Sequence, residues 1–170
     1  LDFSNNNFRL SIGYVPQDVY LIDDTIIKNI AFGVSEEKIN YNKVIECLKL
    51  ANISEFINSL PEKLDTQVGE RGVKLSGGQK QRIGIARSLY DDPDILVFDE
   101  GTSSLDNVTE HEIINSILRL KISKTIIIIA HRLTTIKNCD KVFLMDQGKI
   151  IDEGNFETLH NKHALLNFIS

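Results

Sequence analysis

Apolar and polar positions along the chain follow two rhythms. Between Tyr41 and Ala51, apolar side chains fall at Tyr41, Val44, Ile45, Leu48 and Ala51, the three-and-four spacing that lines one face of a helix. Cys47 sits beside this stripe and reads as packing. Ser54 is placed to cap a second short helix, which Pro61 ends. Ser11 to Pro16 reads as a short strand, stopped by a proline that cannot donate to a ladder. Three later runs, Ile95 to Phe98, Thr125 to Ala130 and Lys141 to Met145, are short, apolar and rich in branched side chains. They alternate little, as strands do when helices cover both faces of a parallel sheet. Helices fit before the first of these runs (Ser76 to Tyr90) and before the second (about Asn107 to Leu120). The latter carries Ile113, Ile114, Ile117 and Leu118 on one face, and Asp106 is placed to cap it. Asp146 to Lys149 is a turn signal leading into a further short strand, Ile150 to Asp152. The polar, Asn-rich opening reads as a loop, and the tail from about Phe156 to Ile169 as short and helical. The alternation is that of an α/β fold.

Composition narrows the picture. A chain of 170 residues, 42% hydrophobic and 25% charged, suffices for one domain with a core. The net charge of −5, with no dense Lys/Arg block, argues against a sequence-independent grip on nucleic acid. The two cysteines, Cys47 and Cys139, fit no metal or redox spacing and read as reduced thiols. The longest apolar run, Ile126 to Ala130, falls far short of the ~20 residues needed to cross a bilayer.

Candidate chemistry gathers at four places. Leu75-Ser76-Gly77-Gly78-Gln79 puts two glycines, which let backbone approach a ligand closely, at the start of a helix whose free N–H groups attract anions. Ser76 can cap that helix or turn its hydroxyl to a phosphate. Ile95-Leu96-Val97-Phe98-Asp99-Glu100 is an apolar strand ending in two acids. Magnesium takes one or two such oxygens beside phosphate and water. Asp99 would face the metal, and Glu100 would polarise an attacking water, a role worth ~10²–10⁴ in rate. His131 ends the next strand, and Gln17 follows the first. If the strands are parallel, both join Asp99 and Glu100 at the carboxyl edge, where open α/β sheets bind ligands. Taken singly, a histidine at a strand end, a glutamine after a proline or acids at a strand end are ordinary surface residues.

Their order along the chain resembles the nucleotide-binding domain of ABC transporters. Gln17 matches that family's Q-loop, Leu75 to Gln79 its signature, Asp99-Glu100 its Walker B acids, Ser103 to Asp106 its D-loop and His131 its switch histidine. Helicases share the acids but not the signature. Thr66 to Gly72, and Asp23 to Ile30, resemble the exporter-type branch, which includes flippases of lipids and lipid-linked saccharides and exporters of peptides. Gly101 stands where the family more often has alanine. The resemblance implies a P-loop NTPase-like (RecA-like) core sheet with a helical signature subdomain, and ATP and Mg2+ as cofactors. It implies that Gln17, Leu75, Ser76, Gly77, Gly78, Gln79 and Asp106 meet nucleotide, that Gln17 and Asp99 serve the metal, and that Glu100 and His131 serve hydrolysis. The expected divisions are a Q-loop strand and loop (about 11–18), a helical subdomain (about 25–90), a catalytic core (about 91–160) and a tail (about 161–170). The implied partners are the transmembrane domain of an exporter and a second nucleotide-binding domain packed head to tail, at the cytoplasmic face of the plasma or inner membrane, with no nucleic acid.

One element of the family is not in the sequence. No G-x-x-x-x-G-K-[ST] string occurs, and the only Gly-Lys pair, Gly148-Lys149, lies in the turn. The expectation is a partial domain, without the N-terminal strands and phosphate loop, inactive alone and unable to form the intact domain as a stable monomer. The missing strand would belong between the strand before His131 and the strand at 141–145. Two other readings are a non-catalytic module that offers its signature to a partner's ATP site, and a non-transport ABC ATPase of the DNA-repair type. The latter usually carries a coiled coil or zinc insertion between Q-loop and signature. Here that interval holds no heptad run and no Cys-x-x-Cys.

Overall fold

The computed structural model describes residues 12–100, 107–118, 124–129 and 133–163. The chain divides into two compact units, Leu1–Ile127 and Ile128–Ser170.

The expected strands form. β1 (Ile12–Val15) pairs in parallel with β2 (Ile95–Asp99), Ile12 beside Ile95 and Val15 beside Phe98, and β3 (Thr125–Ile129) completes a sheet of order β1-β2-β3. Burial alternates along β1 and β2. Val15, Leu96 and Phe98 are buried, whereas Tyr14 on the other face is exposed. The apolar run of β3 is not covered on both sides as its composition suggests: Ile127 and Ile129 remain about half exposed.

The first unit's helices are α1 (Ile26–Ile30), α2 (Tyr41–Leu50), α3 (Ser54–Ser59), α4 (Gly77–Tyr90) and α5 (Asn107–Leu118). Asn40 caps α2 by accepting from Lys43 N. Asn52, in the left-handed region at φ 50°, closes that helix, and Ile53 N donates back to Leu48 O. Val44, Cys47 and Leu48 form the buried stripe. Ser54 is not the cap of α3. That place belongs to Ile53, whose side chain is buried and whose backbone lacks the extended geometry a capping side chain uses. Ser54 is the first helical residue, and its buried Oγ has no hydrogen-bond partner among the described residues.

Helix α4 is the first unit's spine. Ile83, Ile85, Ala86 and Leu89 are buried along it. It lies so close to the chain just beyond β1 that a Cβ at Gly84 would stand 2.5 Å from Val19 Cγ2.

In the second unit, α6 (Leu133–Ile136) precedes an antiparallel hairpin of β4 (Val142–Asp146) and β5 (Lys149–Gly154). Its turn residues Gln147 and Gly148 both have positive φ, as a two-residue hairpin loop requires. Helix α7 (Phe156–Lys162) is capped by Asn155 and buries Phe156 and Leu159. Asp152 Oδ2 on β5 lies 2.6 Å from both His163 Nε2 and Lys162 Nζ. These contacts, led by His163, hold its carboxyl well below the usual carboxylate range.

Candidate functional site

The parallel register of β1 and β2 assembles the site. Ile12 pairs with Ile95 and Val15 with Phe98. Two residues further along both strands, the same offset puts Gln17 opposite Glu100. Gln17 Nε2 donates to Glu100 Oε2 at 2.9 Å. Glu100 directly follows β2 with φ of 50°. That left-handed backbone, uncommon outside glycine and often found at functional sites, turns the chain sharply at the sheet edge.

Tyr14 joins the same edge. Strand alternation puts it on the face of Val97 and Asp99, and its hydroxyl donates to Asp99 Oδ2 at 2.9 Å. That bond, with a smaller contribution from the nearby negative charge, raises the Tyr14 pKa above its ordinary value. Sequence reasoning had no signal for Tyr14 beyond its place three residues before Gln17, because one aromatic in an apolar strand looks like packing. Gln81 was also missed. It is buried on α4 and donates from Nε2 to Pro16 O at 3.2 Å, fastening that helix to the turn that carries Gln17.

Leu75 to Gln79 take the place expected of them, at the start of a fourteen-residue helix. Ser76 Oγ accepts from Gln79 N at 3.2 Å, and Gln79 Oε1 accepts from Ser76 N at 2.8 Å, a reciprocal capping box. Ser76 therefore caps, and its hydroxyl hydrogen remains available to donate. Ser76 and Gly77 are exposed, and Leu75, Gly78 and Gln79 are half-buried. Among the described residues, the side-chain bonds of Ser76 and Gln79 are to each other, so they do not join the signature to Asp99 and Glu100. His131 and Asp106, with the rest of Ser103 to Asp106, lie outside the described residues.

The two stretches that resemble exporters meet. Thr25 forms an antiparallel bridge with Gln67, Ile26 N donates to Thr66 O, and Val68 N donates to Asp24 O. Gly69, Arg71 and Gly72 all have positive φ, which bends the 66–72 loop tightly.

The donor set fits a magnesium nucleotide. Asp99 offers a carboxylate, and Gln17, which donates through its amide nitrogen, keeps its amide oxygen as an acceptor. Both are the hard oxygen ligands magnesium prefers. Among the described residues, no group of three or more His, Cys, Asp or Glu side chains could hold a metal unaided.

The α/β sheet, with two acids at the carboxyl end of β2, has the P-loop NTPase-like fold. It resembles the solved structure of a bacterial Atm1-family ABC exporter with ATP bound, with a TM-score of 0.87 and 43% identity over 95% of this chain and 28% of that one. The ABC transporter family model matches residues 2–103, and the chain belongs to that family. It is 46% identical to the heterocyst differentiation ATP-binding protein HepA of Nostoc sp., over 96% of this chain and 27% of the relative. It is likewise 46% identical to the ATP-dependent lipid A-core flippase of Francisella novicida, over 94% of this chain and 27% of the relative. The chain thus spans about a quarter of the length of the curated relatives it matches. Among the described residues, no helix is long and apolar enough to cross a membrane.

Proposed function

We propose that this chain carries the hydrolytic acids and the signature of the ATPase domain of an exporter-type ABC transporter. The single observation that supports this most is the contact of Gln17 with Glu100, one residue beyond Asp99 at the carboxyl edge of the sheet. Magnesium ATP, when bound, supplies the electrophilic phosphate and the cation that neutralises its charge. Asp99 presents a carboxylate to that cation. Glu100, whose Oε2 accepts from the Gln17 amide, would accept the proton of the attacking water. The family resemblance gives His131 a role in hydrolysis as well.

Ser76, Gly77 and Gly78 reach a different nucleotide, that of a second domain packed head to tail, with Leu75, Gln79 and Asp106 shaping the contact. Closure of the pair then requires ATP, and hydrolysis releases it. The phosphate-cradling lysine loop, which these 170 residues do not contain, comes from outside them, so they do not turn over ATP unaided. The 66–72 loop, pinned to residues 24–26, faces a membrane-spanning partner at the cytoplasmic side of the membrane. The cargo is a lipid, a lipid-linked saccharide or a peptide, and the likeness to a lipid A-core flippase supports the first two.

In the full-length protein, Glu100→Gln is expected to retain ATP binding and to lose roughly 10²–10⁴ in turnover. ATPase assay beside equilibrium nucleotide binding tests this. Unchanged turnover removes Glu100 from the base role.

A further inference from the structure

We propose that Tyr14 is a positioning residue for the metal-facing acid: its hydroxyl fixes one oxygen of Asp99 and leaves the other to the cation. The inference rests on the nucleotide reading of Asp99 given above.

The geometry follows from the sheet. Tyr14 is in register with Val97, and Asp99 lies two residues further along the neighbouring strand on the same face. Two residues of strand rise span about 6.6 Å, the reach of a tyrosine side chain. Its hydroxyl meets Asp99 Oδ2 at 2.9 Å. The ring gains little from packing, since Tyr14 is 53% exposed; its ordered contact is at the polar tip. A terminal carboxylate otherwise rotates broadly about its last torsion. A hydroxyl bonded to one oxygen stops that rotation and sets the direction of the second. Magnesium demands near-ideal octahedral geometry, so a carboxylate held in one orientation is worth more to it than a mobile one. Phenylalanine at this position would keep the ring and remove only the donor.

The test uses the full-length protein, with Mn2+ as the spectroscopic probe for Mg2+ and a non-hydrolysable ATP analogue, free Mn2+ being counted by electron paramagnetic resonance. Tyr14→Phe is expected to weaken Mn2+ binding roughly tenfold, the low end of what losing the partner of a metal ligand costs. Analogue affinity in excess EDTA and the thermal midpoint in EDTA are expected to stay unchanged, and excess Mg2+ should restore turnover. If Tyr14 acts through Asp99, the Tyr14→Phe/Asp99→Asn double variant binds Mn2+ as weakly as Asp99→Asn alone. Mn2+ affinity of Tyr14→Phe within about twofold of the parent, or full additivity in the double variant, overturns the proposal. Should Asp99→Asn itself leave Mn2+ binding intact, the assignment of Asp99 fails first, and that outcome is separable from a failure confined to Tyr14.

Discussion

At Gly84 a single methyl group decides how closely the signature helix approaches the Q-loop. A Cβ there would stand 2.5 Å from one Val19 methyl and 2.8 Å from the other, and valine's stiff χ1 gives it little room to retreat. Val19 is two residues beyond Gln17, so relief by moving it would disturb the amide that holds Glu100. Gly84→Ala is expected to destabilise the domain by about 1–3 kcal/mol, as overpacking does. A lower urea midpoint of the full-length protein and a parallel fall in turnover would register it. Cys47 behaves oppositely, as an inert residue. Burial, partly offset by Lys43, pushes its thiol up to about 11 from the ordinary 9.0, and the side chain is 3% exposed. A thiol so raised holds roughly a hundredfold less thiolate near neutral pH than an ordinary one. Because thiolate is the reactive form, Ellman's reagent should modify Cys47 at least that much more slowly in the native than in the denatured protein. The native rate should rise with pH until it nears 11.

Among the elements, α1 is held by polar bonds as well as by its apolar face. Asn29 is fully buried, yet its side chain accepts from Ile22 N and donates to Ile22 O and Thr25 O, each at 3.0 Å. Arg87 of α4 donates to Asn29 O at 2.6 Å, to Asn29 Oδ1 at 2.9 Å and to Tyr20 O at 2.8 Å. Lysine cannot reproduce that planar fork. Arg87→Lys is expected to speed hydrogen exchange at residues 26–30 by about tenfold or more, the loss of a hydrogen bond to a charged group. Mass spectrometry on the full-length protein reads this directly. None of the network was legible in the sequence, since α1 is only five residues long and the bonds from Arg87 join residues distant along the chain. The longer elements were legible. The branched runs marked β2 to β4, the stop at Pro16 marked β1, the spacing marked α2, and Ser76 with its two glycines marked the start of α4. The site was legible as a set of types in order, Gln17 and then the two acids, whereas the bond from Tyr14 needed the strand register. The cap of α3 was misread because Ser54 is a good capping type, while the burial of Ile53 fixed where the helix begins.

Over the whole molecule, apolar cover is distributed unevenly between the two units. Among the described residues, the first unit holds most of the buried apolar side chains. In the second, the described core side chains are Phe156 and Leu159, whereas Phe143, Met145, Ile150 and Ile151 are 50%, 61%, 59% and 49% exposed. A two-stranded hairpin is marginal in water unless a helix or further strands cover its apolar face, and the helix here is only seven residues long. Four large apolar side chains left half in solvent forgo a further part of the roughly 1.5–3 kcal/mol that full burial of each would contribute. β4 and β5 form a two-stranded sheet of their own. The two units should therefore not melt together when these 170 residues are produced alone. Amides of α4 and β2 are expected to keep strong protection from exchange, while those of 142–154 exchange almost as an unfolded segment does. In a chain as long as its relatives, the same amides should be protected if the added residues cover the hairpin. A single sharp transition of the monomeric 170-residue chain, with equal protection in both units, would show that the exposed isoleucines, phenylalanine and methionine need no additional cover.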